Sequence, residues 1–333
     1  MTGNPQVLIA AVPDGPLVPD HFELHDSDIP ECEEGQVLCR TIALTIGAGQ
    51  RAGLQGSASY AGAARSGVVM GGTGVAQVEV SKADGFAPGD LVVGPTGWQT
   101  FAAMKASHVR TVPSGADPAL HLGVLGTNGL TAYFGLLDIG APRPGETVVV
   151  SAAAGSVGHL VGQIAKLKGC TVAGVAGSDE KCRVLVDELG FDAAANHRDS
   201  GFRDAFKAAT PNRIDVYFDN TGGDILGSAL FRMNTFGRIV CCGAVSQYDT
   251  AEPAGSPRGI PGLLVNNRVT MRGFLVFDYA DRYDEAVDAL TGWIASGELR
   301  PRVTEFDGLG AAPGAFVGLL GGDTIGTTIV RIA

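Results

Sequence analysis

Apolar and polar positions give the 333-residue chain two textures. Up to Pro113 the apolar residues come in short or alternating runs: QVLIAAVP, GQVLCRTIALTI, SGVVMGGTGVAQVEVS and GDLVVGPTGWQTFAAM, each bounded by Gly, Pro or Asp. Such runs predict strands with one side turned inward, and few helical patterns interrupt them, so a small barrel-like β domain is expected. Beyond Pro113 the period changes. LGTNGLTAYFGLLDIG has helical spacing and ends at Gly140, and the turn APRPGE leads into TVVVS, a run that fits a strand buried on both faces. A helix over Ser156–Lys168 places Val157, Leu160, Val161, Ile164 and Leu167 on one side. CTVAGVAG predicts a second buried strand and DEKCRVLVDELG a second helix. IDVYFDNTGG, GRIVCCGAVS and VTMRGFLVF predict further strands, with helical segments around residues 225–233 and 263–267 between them. RYDEAVDALTGWIASGEL predicts an amphipathic helix, and GTTIVRI a last strand. Strands alternating with helices imply right-handed crossovers and a doubly wound parallel sheet, so the fold class is α/β with a β-barrel domain beside it.

The junction between the first buried strand and its helix is SAAAGSVG, Ser151 to Gly158. A helix N-terminus presents unpaired N–H groups and the positive end of a dipole, a setting that favours a pyrophosphate. Gly155 lets the backbone approach the phosphates and Gly158 lets the helix pack against the strand. Ala153 stands where the usual G-x-G-x-x-G has its first glycine, which is acceptable if that residue needs no positive φ. The second strand runs into Gly177, Ser178, Asp179, Glu180 and Lys181, with Arg198 in the following loop. A hydroxyl and two cations suit a 2′-phosphate and favour NADP(H) over NAD(H), while Asp179 and Glu180 argue the other way.

The remaining chemistry is mostly exclusion. A net charge of −11 repels polyanions, so no nucleic-acid or anionic-membrane partner is expected. Cys32, Cys39, Cys170, Cys182, Cys241 and Cys242 form no C-x-x-C and read as reduced thiols. With no signal-peptide pattern and no apolar run long enough to span a bilayer, a cytoplasmic location is expected. None of the six histidines (His21, His25, His108, His121, His159, His197) is followed by Glu, and no closely spaced cysteine quartet exists, so no metal site is expected.

The motifs GLTAYFGL, VVVSAAAGSVG, GQIAKLKGC, VAGSDEKC, GFDAAAN, VYFDNTGG, CGAVSQYD and GFLVFDY resemble those of the zinc-independent medium-chain dehydrogenases/reductases. Within them the chain is most similar to the prostaglandin/leukotriene reductase, alkenal double-bond reductase and curcumin reductase group. The resemblance implies a GroES-like catalytic domain over residues 1–122, completed by 300–333, and a Rossmann domain over 123–299. It also implies NADPH-dependent reduction of the C=C bond of α,β-unsaturated carbonyl compounds. By the same resemblance Gly155, Val157 and Gly158 hold the pyrophosphate, Ser178 and Lys181 the 2′-phosphate, and Asn220 the cofactor. Cys242, Gly243, Ser246 and Tyr248 lie along its nicotinamide half, with Phe274, Leu275 and Val276 near the ring. Tyr248 is the residue implied to stabilise the enolate oxygen.

Four positions depart from the group. Gly49, in IGAGQR, stands where a tyrosine often lines the pocket. His197 replaces a frequent tyrosine, Arg198 a lysine, and Thr324 an asparagine. The change at Gly49 enlarges the substrate pocket and leaves open a quinone or carbonyl reductase, or a repurposed biosynthetic enzyme. A non-catalytic NADPH-binding protein is the remaining alternative. Asn128 is either a polar group near the nicotinamide or a helix cap, and Tyr279 either pocket lining or packing. The apolar VTMRGFLVF resembles an edge strand through which relatives pair, so a homodimer acting on a small molecule is expected.

Overall fold

The computed structural model describes residues 3–55, 64–249, 257 and 259–332. They form two units, one from residues 3–55, 64–123, 249 and 303–332, the other from 124–248, 257 and 259–302.

The first unit starts with β1 (Asn4–Ile9) and β2 (Phe22–Ser27), an antiparallel pair. Then follow β3 (Gln36–Ile46), α1 (Ala48–Leu54), β4 (Gly74–Ser81), β5 (Leu91–Gly94), β6 (Phe101–Lys105), β7 (Arg110–Val112) and α2 (Pro118–Leu122). Strand β3 alternates buried and half-exposed side chains through Thr41, as the period of its sequence demands. It pairs antiparallel with β4 and, over its first half, with β6. Trp98 is fully buried, with ring centroids 5.4 Å from Phe22 and 5.8 Å from Phe316.

The second unit comprises α3 (Thr127–Phe134), β8 (Thr147–Val150), α4 (Gly158–Leu167), β9 (Thr171–Ala176), α5 (Asp179–Arg183) and β10 (Ala193–Asn196). It continues with α6 (Phe202–Ala209), β11 (Ile214–Asp219), α7 (Gly223–Leu230), β12 (Met233–Cys241), α8 (Ile260–Asn267), β13 (Thr270–Gly273) and α9 (Tyr283–Ala295). Its sheet runs in the order β10-β9-β8-β11-β12-β13, and every pair is parallel. This is the doubly wound Rossmann arrangement. Val148, Val149 and Val150 are fully buried because helices cover both faces. The order reverses between β8 and β11, which opens a crevice at their carboxyl ends.

The chain then returns to the first unit through β14 (Val303–Asp307), α10 (Ala312–Gly321) and β15 (Thr327–Arg331). Strand β15 lies between β14 and β3, so a GroES-like mixed sheet is built from both ends of the sequence.

Some elements differ from the periodicity reading. Only Thr270–Gly273 of VTMRGFLVF is strand; Val276 turns inward against Leu130 and Phe134, and tight turns run from there to Arg282. Helix α7 stops at Leu230, and β12 starts earlier than GRIVCCGAVS suggests, with Phe236 at φ +63°. Helix α3 continues as a wider π-helical turn over Gly135–Gly140 before Ala141, at φ +41°, ends it.

Candidate functional site

The carboxyl edge of the parallel sheet gathers most of the predicted cofactor residues. After β8 the chain turns through Ser151–Val157, and the helix opens at Gly158 rather than at Ser156. The positive φ in this turn falls on Ala152, at +45°, so Ala153 needs none. Ala153 is buried, donates its N–H to the Val175 carbonyl at 2.9 Å, and packs its methyl against Gly174. At Gly158 a Cβ would lie 2.4 Å from the Ala152 carbonyl oxygen, so only glycine lets α4 start this close to the turn. Gly155 donates its N–H to the Ala152 carbonyl at 2.9 Å and accepts from His159.

His159, which sequence reasoning passed over except as a non-ligand, is fully buried in the first turn of α4. Its Nδ1 lies 2.8 Å from the Gly155 carbonyl, and its Nε2 accepts the Arg302 N–H at 3.0 Å, which assigns the proton to Nδ1. Burial pushes its pKa down to about 4 against the raising effect of the Gly155 and Ser156 carbonyls, and Arg302 adds to the lowering. One turn later, Gln163 accepts the Arg300 N–H at 2.8 Å.

At the end of β9, Ser178 caps α5 by accepting the Lys181 N–H at 3.2 Å. A Cβ at Gly177 would lie 3.3 Å from His197 Nε2 and 3.5 Å from Arg198 Nε, so imidazole and guanidinium converge on the strand tip. Partial desolvation, then the Arg198 and Lys181 cations, hold the His197 pKa below its ordinary value. A small-residue turn at a helix N-terminus and a basic cluster one strand away are chemically suited to a dinucleotide carrying a 2′-phosphate.

The third part of the edge is organised by Asp219, which the sequence reading missed. Its carboxylate is 2% exposed, and its Oδ1 accepts from Ser151 Oγ (3.1 Å), Tyr217 hydroxyl (3.1 Å), Gly222 N–H (2.9 Å) and both donors of Thr221. Its carbonyl accepts the N–H groups of Cys242 and Gly243. Burial and this carboxylate raise the Tyr217 pKa well above that of a free phenol. Asn220 donates from Nδ2 to the Ser151 carbonyl at 2.8 Å. The signal available in the sequence was an acidic residue closing the apolar run VYFD.

The loop after β12 is folded against this hub: Ser246 donates both its N–H and its hydroxyl to the Thr221 carbonyl, and Val245 its N–H to Asn220. The Tyr248 hydroxyl accepts the Ala244 N–H at 3.1 Å, and that bond polarises its O–H toward a further acceptor. Desolvation first, then Asp219 and Cys241, push the Cys242 thiol up to about 12, which keeps it protonated.

The other predicted positions are less concentrated. Phe274 packs at Gly135, Val276 is buried, and Leu275 is exposed. Tyr279 stacks on Phe134 with centroids 4.5 Å apart. Asn128 is the second residue of α3, whose cap position belongs to Gly126. In the first unit, Gly49 lies in α1 and Thr324 is buried ahead of β15. Among the described residues no group of three or more His, Cys, Asp or Glu could hold a metal ion, and no helix is long and apolar enough to cross a membrane.

Residues 5–112 match a family model described as the N-terminal domain of oxidoreductase, and residues 156–292 one described as zinc-binding dehydrogenase. The NADPH-dependent curcumin reductase of Escherichia coli is 39% identical over 335 residues, 99% of this chain and 97% of that protein. Prostaglandin reductase 1 of Rattus norvegicus is 39% identical over 317 residues, 93% of this chain and 94% of the relative. The crystal structure of CurA from Vibrio vulnificus in complex with NADPH superposes with a TM-score of 0.94 at 39% identity, covering 99% of both chains.

Proposed function

We propose that this chain, which belongs to the zinc-independent medium-chain dehydrogenases/reductases and within them to the curcumin, prostaglandin and alkenal reductase group, reduces the C=C bond of α,β-unsaturated carbonyl compounds. It is an NADP(H)-dependent oxidoreductase. The observation that carries the C=C reading is Tyr248, whose hydroxyl is held by the Ala244 N–H on the same sheet edge as the phosphate-loop turn.

In this reading bound NADPH would supply the hydride that the β-carbon of a conjugated ketone, aldehyde or thioester accepts. Negative charge then develops on the carbonyl oxygen, and the Tyr248 hydroxyl donates a hydrogen bond to it. A proton from Tyr248 or from water completes the α-carbon. Gly155, Val157 and Gly158 hold the pyrophosphate, while Ser178, Lys181, His197 and Arg198 hold the 2′-phosphate. Asn220, Cys242, Gly243 and Ser246 shape the edge that leads to the nicotinamide, with Phe274, Leu275 and Val276 near its ring.

Gly49 supports a second reading, in which a pocket without a side chain at that position of α1 accepts a quinone or a simple carbonyl. Oxidation of NADPH, followed by its absorbance, separates the two when an enone, its saturated ketone and a quinone are supplied in turn. Turnover with the enone alone supports the first reading; turnover only with the others overturns it. Binding without turnover identifies a non-catalytic NADPH-binding protein.

We further infer that two copies pair through β13, the edge of the parallel sheet, beside the exposed side chains of Phe236, Val265 and Phe277. Light scattering at micromolar concentration tests this, with a monomer overturning it. The six cysteines are all unpaired, which suits a reducing cytoplasm.

A further inference from the structure

The basic cluster at the tip of β9 contains one group whose charge is not fixed at neutral pH. His197 presents Nε2 toward Gly177 alongside the Arg198 guanidinium, and its backbone N–H donates to the Ala176 carbonyl at 2.9 Å, which anchors the loop to the strand end. The side chain is exposed, so a ligand at the strand tip can reach it. The charged groups on the two elements around the ring are Asp179, Glu180, Lys181 and Arg183 on α5 and Arg198 and Asp199 on its own loop. Two of the three acids are occupied elsewhere: Asp179 accepts from the Asn196 amide at 2.9 Å and Asp199 from the Gly201 N–H at 2.6 Å. The cations dominate at the ring, where Arg198 and Lys181 add to desolvation in disfavouring the imidazolium.

We propose that His197 is the proton-linked element of the 2′-phosphate subsite: neutral in the free protein, it takes up a proton when NADPH binds and becomes a third cation on the phosphate. This rests on reading Ser178, Lys181 and Arg198 as that subsite. A dianion set between the cations reverses the local field, so the imidazolium, disfavoured before, is favoured in the complex. The proton comes from solvent onto the imidazole ring and no other bond changes. NADH, which lacks the phosphate, leaves the ring neutral. Discrimination between the two nucleotides therefore sharpens as pH falls and relaxes as it rises. One linked proton lets the NADPH-to-NADH affinity ratio fall by up to about tenfold per pH unit above neutrality.

Calorimetric titration of the whole protein with NADPH at pH ~7.5, in buffers of different ionisation enthalpy, counts the protons taken up. The 2′-phosphate, with its last ionisation near pH ~6, contributes little there. Wild type should take up roughly half a proton to one proton more than His197→Asn, and both should take up the same number with NADH. Equal proton counts with NADPH would overturn the proposal. As a measurement independent of the variant, the His197 ring resonance should titrate about one unit or more higher in the NADPH complex than in the NADH complex; coincident titrations overturn it too. If NADPH binds no more tightly than NADH, the subsite reading itself has failed. If NADPH is preferred without the extra proton, only the role of His197 has.

Discussion

The Arg51 guanidinium donates from Nε to the Asp249 carboxylate at 2.9 Å across 198 positions of sequence. Arg51 is fully buried, its Nη2 donates to the Gly15 carbonyl, and its Nη1 has no hydrogen-bond partner among the described residues. The same Asp249 oxygen accepts the Leu17 N–H at 2.7 Å. Asp249 directly follows Tyr248 in the sequence.

Asp249→Ala strands a buried guanidinium without its counter-charge. A loss of about 3 kcal/mol in unfolding free energy is expected, with Asp249→Asn intermediate. Urea titration of the three proteins reads it, and an Ala variant as stable as wild type would show that the pair contributes nothing net.

In the proposed function the Tyr248 hydroxyl donates to the developing oxyanion, and phenylalanine cannot. Tyr248→Phe should lower kcat with an enone by roughly 100-fold while NADPH affinity stays within about 2-fold. Unchanged turnover would exclude the oxyanion role. A parallel loss of NADPH binding would point instead to collapse of the 242–248 loop.

Lys181 tests the phosphate subsite directly. A charge-assisted bond contributes about 1.5–3 kcal/mol, so Lys181→Ala should weaken NADPH by roughly 10- to 100-fold and NADH hardly at all. Fluorescence titration with both nucleotides checks this, and equal weakening would place Lys181 outside the subsite.

His159 imposes a pH dependence of known sign. Buried and neutral, it titrates at about 4 in the folded protein against roughly 6.5 in the unfolded chain. The unfolded chain therefore takes up the proton first as pH falls. Stability from this group is complete above pH ~6.5 and is lost progressively between ~6.5 and ~4, by about 3 kcal/mol in all. Urea midpoints at pH ~7, ~5.5 and ~4.5 should decline more steeply in wild type than in His159→Gln. Parallel declines would assign the acid sensitivity elsewhere.

The parallel sheet could be read from the chain because VVV and VYF are apolar on both faces, a pattern that few other environments produce. The turn between β8 and α4 was legible for the same reason, since its small residues sit between such a strand and an amphipathic helix. Asp219 was not, because five donors from four residues converge on one oxygen only after β8 and β11 are aligned. Nor could Arg51 be matched to Asp249, since no local pattern links residues so far apart. The backbone of Ala152 was equally hidden, because alanine gives no hint of a positive φ. In VTMRGFLVF, the apolar run FLVF concealed the switch from edge strand to a turn that buries Val276.

The insertion of β15 beside β3 has a consequence for synthesis. Thr45 donates its hydroxyl to the carbonyl of Thr328, a neighbour 283 positions downstream. At ribosomal speeds of about 5–20 residues per second, that neighbour emerges roughly 15 s to 1 min later. For that interval the inner half of β3, with Leu44 and Ile46, is an open edge that another nascent chain could pair with. The intervening parallel sheet can meanwhile close on its own contacts. The unit that leaves the ribosome first is thus the last to finish folding, and its need for chaperone shielding is set by the distance to its final strand.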